Sequence, residues 1–492
     1  MKKKIFSLIL ASLIILPALA SCTNNTSKDT GEQNSSDPTD STPVSTVEDT
    51  LNFDVDYEGM DFNVLLASVP TRTPNDFSYG DDLTDVMNEA IYTRNTTMLE
   101  NYNVNIVCKQ DLGSNNQGYE TVQKDYSSNK NSYQLCLLSG YDAAELALIG
   151  TLYDFKSLPN INTKNTWWDQ AAERDLSIAD SLFFTTGSIS TVIDDYTYCV
   201  IFNKALLKIK LGDVNVYDIV RNDQWTLDKL EELSKSVKED INGDQKMDSR
   251  DRYGLMIWDN EMIASINAAG EKIASLNEDG MVELTFYNDK VNTIVDKFVT
   301  IGNSEYCINF QHMSGGVQFY DMFTNNQAMF FMSMFNEVER FRDMHTDYGI
   351  VPNPKLYETD DYYSPISPWH SGFLCVPVTI EDPDSVSNII ELMGYHSEKL
   401  ITPAYYDKTL IGKYVRDDES IEMLDLIFQN RVYDVGHLYR ISSLQEHITN
   451  LLRENRPSGL SYVYQTYLDP ANADINELNF SLEILKITQS GQ

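Results

Sequence analysis

Residues 133–149 read YQLCLLSGYDAAELALI, and this stretch decides the fold class. Its first part, through Leu138, is a short apolar run of strand length, and its last part, from Asp142 to Ile149, is a short helix. Between them the chain places Ser139, Gly140 and the aromatic–acid pair Tyr141-Asp142. Upstream the alternation repeats. Val64-Leu65-Leu66-Ala67 is a strand bounded by Asp61 and Pro70. Leu83, Val86, Met87, Ala90, Ile91 and Leu99 fall on one helical face, opened by Asp81 and Asp82. Residues 104–107 form a second strand and residues 119–126 a helix. The order β-α-β-α-β-α specifies an α/β unit on a mainly parallel, doubly wound sheet, because parallel neighbours need a crossover and a helix supplies it.

Downstream a second unit begins near residues 189–195. Tyr198-Cys199-Val200-Ile201-Phe202 is a strand leaving that crossover. Trp225-Thr226-Leu227 opens a helix with Thr226 as N-cap and Leu230, Leu233 and Val237 on its inner face. Strands follow at 253–258, 328–332 and 373–377. Helices follow at 262–270, at 289–301 and from Asp384 onward. The C-terminal region is largely helical, with Ile441, Leu444, Ile448 and Leu451 sharing a face. No solenoid-like period is present.

The chain has 492 residues, too many for one small domain, and 42 % of them are apolar, enough for a core. Acids outnumber bases 74 to 37, a net charge of −37. That balance argues against nucleic acid and against broad contact with anionic lipid. Six Cys are too sparse for a disulfide scaffold. Apart from Cys22 they are Cys108, Cys136, Cys199, Cys307 and Cys375, an odd set lying mostly in apolar runs, so they read as small buried hydrophobes. No HExxH, GxSxG, P-loop or GxGxxG occurs, and His312, His345, His370, His396, His437 and His447 lack metal spacing.

The N-terminus carries Lys2, Lys3 and Lys4, then an apolar stretch over 5–16, too short to span a bilayer but suited to a signal peptide. Leu19-Ala20-Ser21-Cys22 looks like a bacterial lipobox, in which the Cys receives lipid. Residues 1–22 are therefore expected to be a lipoprotein signal peptide. Cys22 would tie the protein to the extracytoplasmic face of the cell membrane. Of the 28 residues at 23–50, 12 are Ser or Thr and none is aromatic, so the segment reads as a flexible tether.

Several stretches resemble one family. Residues 198–207, YCVIFNKALL, look like its strand followed by Tyr-Asn-Lys-x-Leu; residues 224–230, QWTLDKL, resemble its Trp-Thr-x-Asp helix start. Asp240-Ile241-Asn242-Gly243-Asp244 leading to Tyr253-Gly254-Leu255 is similar to its acidic loop and Tyr-Gly-Leu strand. Ala268-Ala269-Gly270-Glu271-Lys272-Ile273 resembles its Gly-x-x-Ile step. These are marks of the extracellular solute-binding proteins, family 1, of maltose-binding-protein type, and they recur in order from about Asp61 to Tyr439. The resemblance implies a type II periplasmic-binding-protein-like fold: two doubly wound α/β lobes joined by hinge crossovers. Residues 51–190 and about 365–415 would form lobe 1, and about 191–364 and 416–492 lobe 2. It further implies a monomer that captures a mono- or oligosaccharide in the cleft and delivers it to ABC permease subunits without catalysis. A surface adhesin or sensor subunit would share the tether and the cleft. A secreted glycosidase is the enzymatic rival, since two carboxylates can hydrolyse a sugar.

In doubly wound sheets ligands bind beyond the carboxyl ends of strands. Aromatic–polar pairs there are the candidate ligand-binding residues: Tyr141-Asp142, Asp195-Tyr196 (after Asp194) in the crossover, Trp258-Asp259-Asn260, Phe335-Asn336-Glu337, and Trp369-His370. Phe77 and Tyr79 are weaker candidates. Asp240, Asn242, Asp244, Lys246 (through its carbonyl), Asp248 and Asp251 occupy positions 1, 3, 5, 7, 9 and 12 of a Ca²⁺ loop. Gln245 replaces the usual Gly and Asp251 the usual Glu. No cofactor is required for binding; a structural Ca²⁺ in this loop is the ion the sequence suggests.

Overall fold

Val64, Leu65, Leu66 and Ala67 are all buried, and a strand buried on both faces belongs at the centre of a parallel sheet. The computed structural model, which describes residues 51–67, 76–111, 117–411 and 414–490, places it there. The signal peptide, Cys22 and the 23–50 tether lie outside the described residues. Strand Met60–Ala67 pairs in parallel with Val104–Gln110 on one side and with Leu135–Ser139 on the other. Gly372–Cys375 returns from far along the chain and closes that edge antiparallel to Leu135–Ser139. The connecting helices are Val86–Tyr102, Gln117–Ser127 and Gly140–Leu148. The first is capped by Asp85, whose carboxylate accepts from Met87 N and Asn88 N at 3.0 Å, and it ends on Asn103 in the left-handed region.

The second sheet runs Tyr348–Val351, Tyr198–Asn203, Ala328–Met334, Arg252–Ile257, Lys238–Glu239, with Cys307–Asn309 also on Arg252–Ile257. It is mixed. Ala328–Met334 and Cys307–Asn309 are parallel to Arg252–Ile257, but Tyr198–Asn203 is antiparallel to Ala328–Met334. The reason is topological: the chain enters this sheet from the crossover, at the end where Ala328–Met334 finishes.

The motif residues of this unit are structural. Trp225 is fully buried and its indole donates to Pro352 O at 2.8 Å, while Thr226 caps helix Leu227–Ser234. Gly254 is required because strand Arg252–Ile257 crosses the end of that helix; a Cβ there would lie 1.9 Å from Ser234 O. All five described cysteines are free thiols, Cys108 half-buried and the rest buried.

The chain passes between the sheets at 191–198, 364–372 and 430–433. Thr197 bridges Ile366, and Ser364–Pro365 pairs in parallel with Arg431–Val432. Helix Asp418–Gln429, just before the 430–433 segment, packs on Tyr348–Val351 of the second sheet. The final helix, Leu460–Ser490, packs on strand Val282–Leu284 of a hairpin and on helix Gly140–Leu148. One apolar core runs through both sheets. A second gathers Met87, Ile91, Phe331, Phe335 and Tyr405 on the opposite side.

Candidate ligand-binding site

The site is built on the turn that follows Leu135–Ser139. Ser139 caps helix Gly140–Leu148 by accepting from Asp142 N at 3.1 Å, and Gly140 N donates to Pro368 O at 2.8 Å. A Cβ on Gly140 would fall 2.5 Å from the Leu438 side chain and 2.9 Å from Pro368 O, so only glycine lets the strand end abut the crossover. That approach brings Tyr141 edge-to-face against Trp369, ring centroids 5.9 Å apart at 72°. Tyr141 Oη lies 3.0 Å from His437 Nε2, and the Arg440 guanidinium stands 5.2 Å from the centre of the Tyr141 ring.

These rings line a cavity of about 350 Å³ whose walls include Tyr198, Asn260, Gln445 and Glu446. Burial pushes the Tyr141 phenol up to about 12 and the His437 imidazole down to about 4, so both are neutral near pH 7. Gln445 Oε1 is buried without a hydrogen-bond partner, an open acceptor on the wall. The chamber thus offers flat π faces, neutral hydroxyl and amide groups, and rim charges in Arg440 and Glu446. Such a set offers stacking faces together with hydrogen-bond donors and acceptors.

The other sequence-predicted residues take different places. Asp195, Phe335 and Asn336 line a larger cavity of about 780 Å³, together with Asp85, Tyr405 and Lys408. Asp195 accepts from Tyr405 Oη at 2.7 Å, and burial raises its carboxyl to about 7. Asp194 pairs with Arg431, and Tyr196 stacks on His370 at 5.2 Å, both within the crossovers. Glu337 pairs with Arg340 at 2.8 Å. Asp142 is buried behind the chamber, raised to about 6 by burial, and accepts from the backbone N–H groups of Gly118 and Tyr119 at the start of helix Gln117–Ser127. Trp258 and Asp259 line neither cavity. Trp258 packs on Phe310 and Phe319; Asp259, fully buried, holds Arg453, Asn309 and His312. Phe77 is core, and Tyr79 is exposed beside Tyr92.

His437, Arg440, Gln445 and Glu446 were missed by sequence reasoning. They flank the apolar face Ile441, Leu444, Ile448 and Leu451, which is buried as its spacing predicts. The polar positions beside that face carried no signal beyond ordinary helix amphipathicity.

In the 240–251 loop the acid side chains bond to the loop's own backbone. Asp240 accepts from Gly243 N at 2.7 Å and Gln245 N at 2.8 Å, Asn242 from Asp244 N at 2.9 Å, and Asp251 from Ile241 N at 3.0 Å. Arg250 pairs with Asp244 and Asp248. Among the described residues no group of three or more His, Cys, Asp or Glu side chains is gathered as a metal cage.

No protein-family model matches the sequence, and no curated protein sequence matches it. Solved structures do match in fold. A cyclic α-maltosyl-1,6-maltose binding protein from Arthrobacter globiformis superposes with a TM-score of 0.56 at 11 % identity, over 86 % of this chain and 99 % of its own. An ABC substrate-binding protein from Listeria monocytogenes, solved with cycloalternan, gives 0.54 at 12 % identity over 86 % and 99 %. A cyclo/maltodextrin-binding protein complexed with maltotetraose gives 0.54 at 12 % over 87 % and 98 %. The chain therefore has the type II periplasmic-binding-protein fold of the maltodextrin-binding ABC substrate-binding proteins.

Proposed function

We propose that this chain is the solute-capturing subunit of an ABC importer and that its cargo is a carbohydrate held against Tyr141 and Trp369. The observation that carries this reading is the meeting of those two rings over a chamber walled by neutral amides and hydroxyls. Sugars present flat C–H faces and fixed hydroxyls, which such walls match. The fold neighbours support it, since those solved structures are named for maltodextrins and cyclic glucosides. Binding is stoichiometric and non-catalytic in this reading. Hinge motion about the crossovers would give permease subunits two shapes to distinguish.

The protein works as a monomer tethered through lipidated Cys22 and residues 23–50 on the extracytoplasmic face of the membrane. No helix among the described residues is long and apolar enough to cross a bilayer. Thermal-shift screening of a glycan library tests the cargo: a bound sugar raises Tm by mass action. No response to any mono- or oligosaccharide, with the fold intact, rejects the carbohydrate reading. Labelling with a radioactive fatty acid tests the anchor, and Cys22→Ser should abolish incorporation.

A structural Ca²⁺ in the 240–251 loop remains part of the proposal, supported by the order of its oxygen donors. Entry of the ion requires Arg250 to swing away from Asp244 and Asp248. Calcium titration by calorimetry should give heat that Asp240→Ala removes; absence of heat removes the ion.

A further inference from the structure

Between helix Val435–Leu438 and helix Leu444–Arg453 the chain makes a turn with costly backbone angles. Arg440 (φ 49°, ψ 44°), Ser442 (φ 41°, ψ 30°) and Ser443 (φ 52°, ψ 30°) are all in the left-handed region. None is glycine, asparagine or aspartate, the residues that visit this region readily. Nowhere else among the described residues do three such non-glycine positions fall within four. Each carries a steric cost, so the surrounding structure must hold the turn.

One support is local: Ser443 N donates to Arg440 O at 2.9 Å. The other is distant in sequence. Asp474, on helix Leu460–Ser490, accepts from Ser442 N at 2.7 Å and from Ser442 Oγ at 2.8 Å through one carboxylate oxygen. That helix is itself fixed. Asn479 exchanges two hydrogen bonds with the backbone of Val282, both at 2.9 Å. Gln489 clasps Asp154 N at 2.9 Å and Leu152 O at 3.0 Å. Asp474 therefore stands on a strut anchored far from the turn, which is what a support that sets a position requires.

The strained turn is also part of the chamber. Arg440 and Ser443, two of its left-handed residues, line the cavity, and Gln445 and Glu446 follow in the first turn of the next helix. Arg440 lies over the ring of Tyr141, which in turn meets Trp369. Ile441 and Leu444 are buried in the core.

We propose that Asp474 is a positioning residue of the Tyr141–Trp369 chamber. It is not on the cavity wall itself. By holding Ser442 in the left-handed region it fixes the turn that carries Arg440, Ser443, Gln445 and Glu446 to that wall. Its role in cargo binding rests on the reading of this chamber as the solute site, whereas the positioning is measurable with no solute present.

The full chain is labelled with fluorotryptophan, and the Trp369 resonance is assigned by its loss in Trp369→Phe. Without solute, Asp474→Ala should shift or broaden that resonance, through Arg440 and Tyr141, while the resonance of buried Trp225 stays in place. Peptides spanning residues 439–446 should exchange amide hydrogens about fivefold faster, the loss expected for one hydrogen bond. Asp474→Asn keeps an oxygen able to accept both bonds and should restore both readouts. With maltotetraose as the probe, Asp474→Ala should raise Kd about fivefold and Asp474→Asn should not. An unchanged Trp369 resonance and unchanged exchange in Asp474→Ala overturn the proposal. So does a fall in Tm with no local change, which would make the contact merely structural. An Asp474→Asn variant as impaired as Asp474→Ala overturns it too. If the wild-type chain binds no maltotetraose, that counts against the cargo, and the resonance and exchange still decide the positioning.

Discussion

Strand Leu135–Ser139 in the first sheet and strand Arg252–Ile257 in the second each run into an aromatic residue followed by an acid, Tyr141-Asp142 and Trp258-Asp259. At the first, Gly140 brings the backbone against the crossover, so the ring faces Trp369 across the chamber and the acid turns back to cap a helix. At the second, no glycine intervenes. The ring packs among Phe310 and Phe319, and the acid is consumed by Arg453. Equivalent position at a strand end does not make an equivalent site; the local backbone step decides which side chain reaches the open space.

The sharpest way to break this comparison is at Asp259. Asp259→Ala takes away the buried carboxylate shared by Arg453, Asn309 and His312, while Arg453 keeps Glu446 and Asn450, and should lower stability by about 2–3 kcal/mol, read by urea unfolding, while the folded protein binds solute as before. A large loss of affinity would put the second strand end back in the site. Tyr141→Ala and Trp369→Ala should do the reverse. Each should weaken solute binding about tenfold or more, equivalent to about 1.5–3 kcal/mol of aromatic burial, with smaller changes in unfolding. Gly140→Ala sharpens the role of the backbone step: its Cβ meets Leu438 and Pro368, so about 1–3 kcal/mol of stability should be lost, with affinity falling because Tyr141 is displaced.

The smallest effect concerns pH. The Asp195 carboxyl is raised from 3.8 to about 7 in the folded protein, so the unfolded chain gives up this proton first and stability from this group falls as pH rises from about 4 to 7. His437 is lowered from 6.5 to about 4, so its contribution rises across about the same range. The two oppose each other. Asp195→Asn removes the falling part and should make stability climb more steeply between pH 4.5 and 7, as read from urea midpoints; an unchanged profile would show that Asp195 is not held in its buried, protonated form.

Much of the fold was legible because it rests on local periodicity. The strands at 64–67, 104–107 and 198–202, and the helices after the first two, appear within a few residues of their sequence-based limits, since each rests on a local apolar run or a helical period. The direction of Tyr198–Asn203 was not legible, because period-2 patterning is the same for either orientation. Within the site, Tyr141 and Trp369 were legible as aromatic residues at a strand end and a crossover. His437, Arg440, Gln445 and Glu446 were not, because nothing local distinguishes a helix flank that faces a cavity from one that faces water.

By itself the sequence determined two α/β units, the helix start capped by Thr226 and the aromatic–acid pairs at strand ends, all of which depend on neighbours near in the chain. Tertiary structure alone decided that Tyr141 meets Trp369 while Trp258 does not, and that Asp142 caps a helix. Those outcomes depend on segments hundreds of residues apart arriving at one place, and the side-chain alphabet records a residue's chemistry without recording which distant residue will stand opposite it.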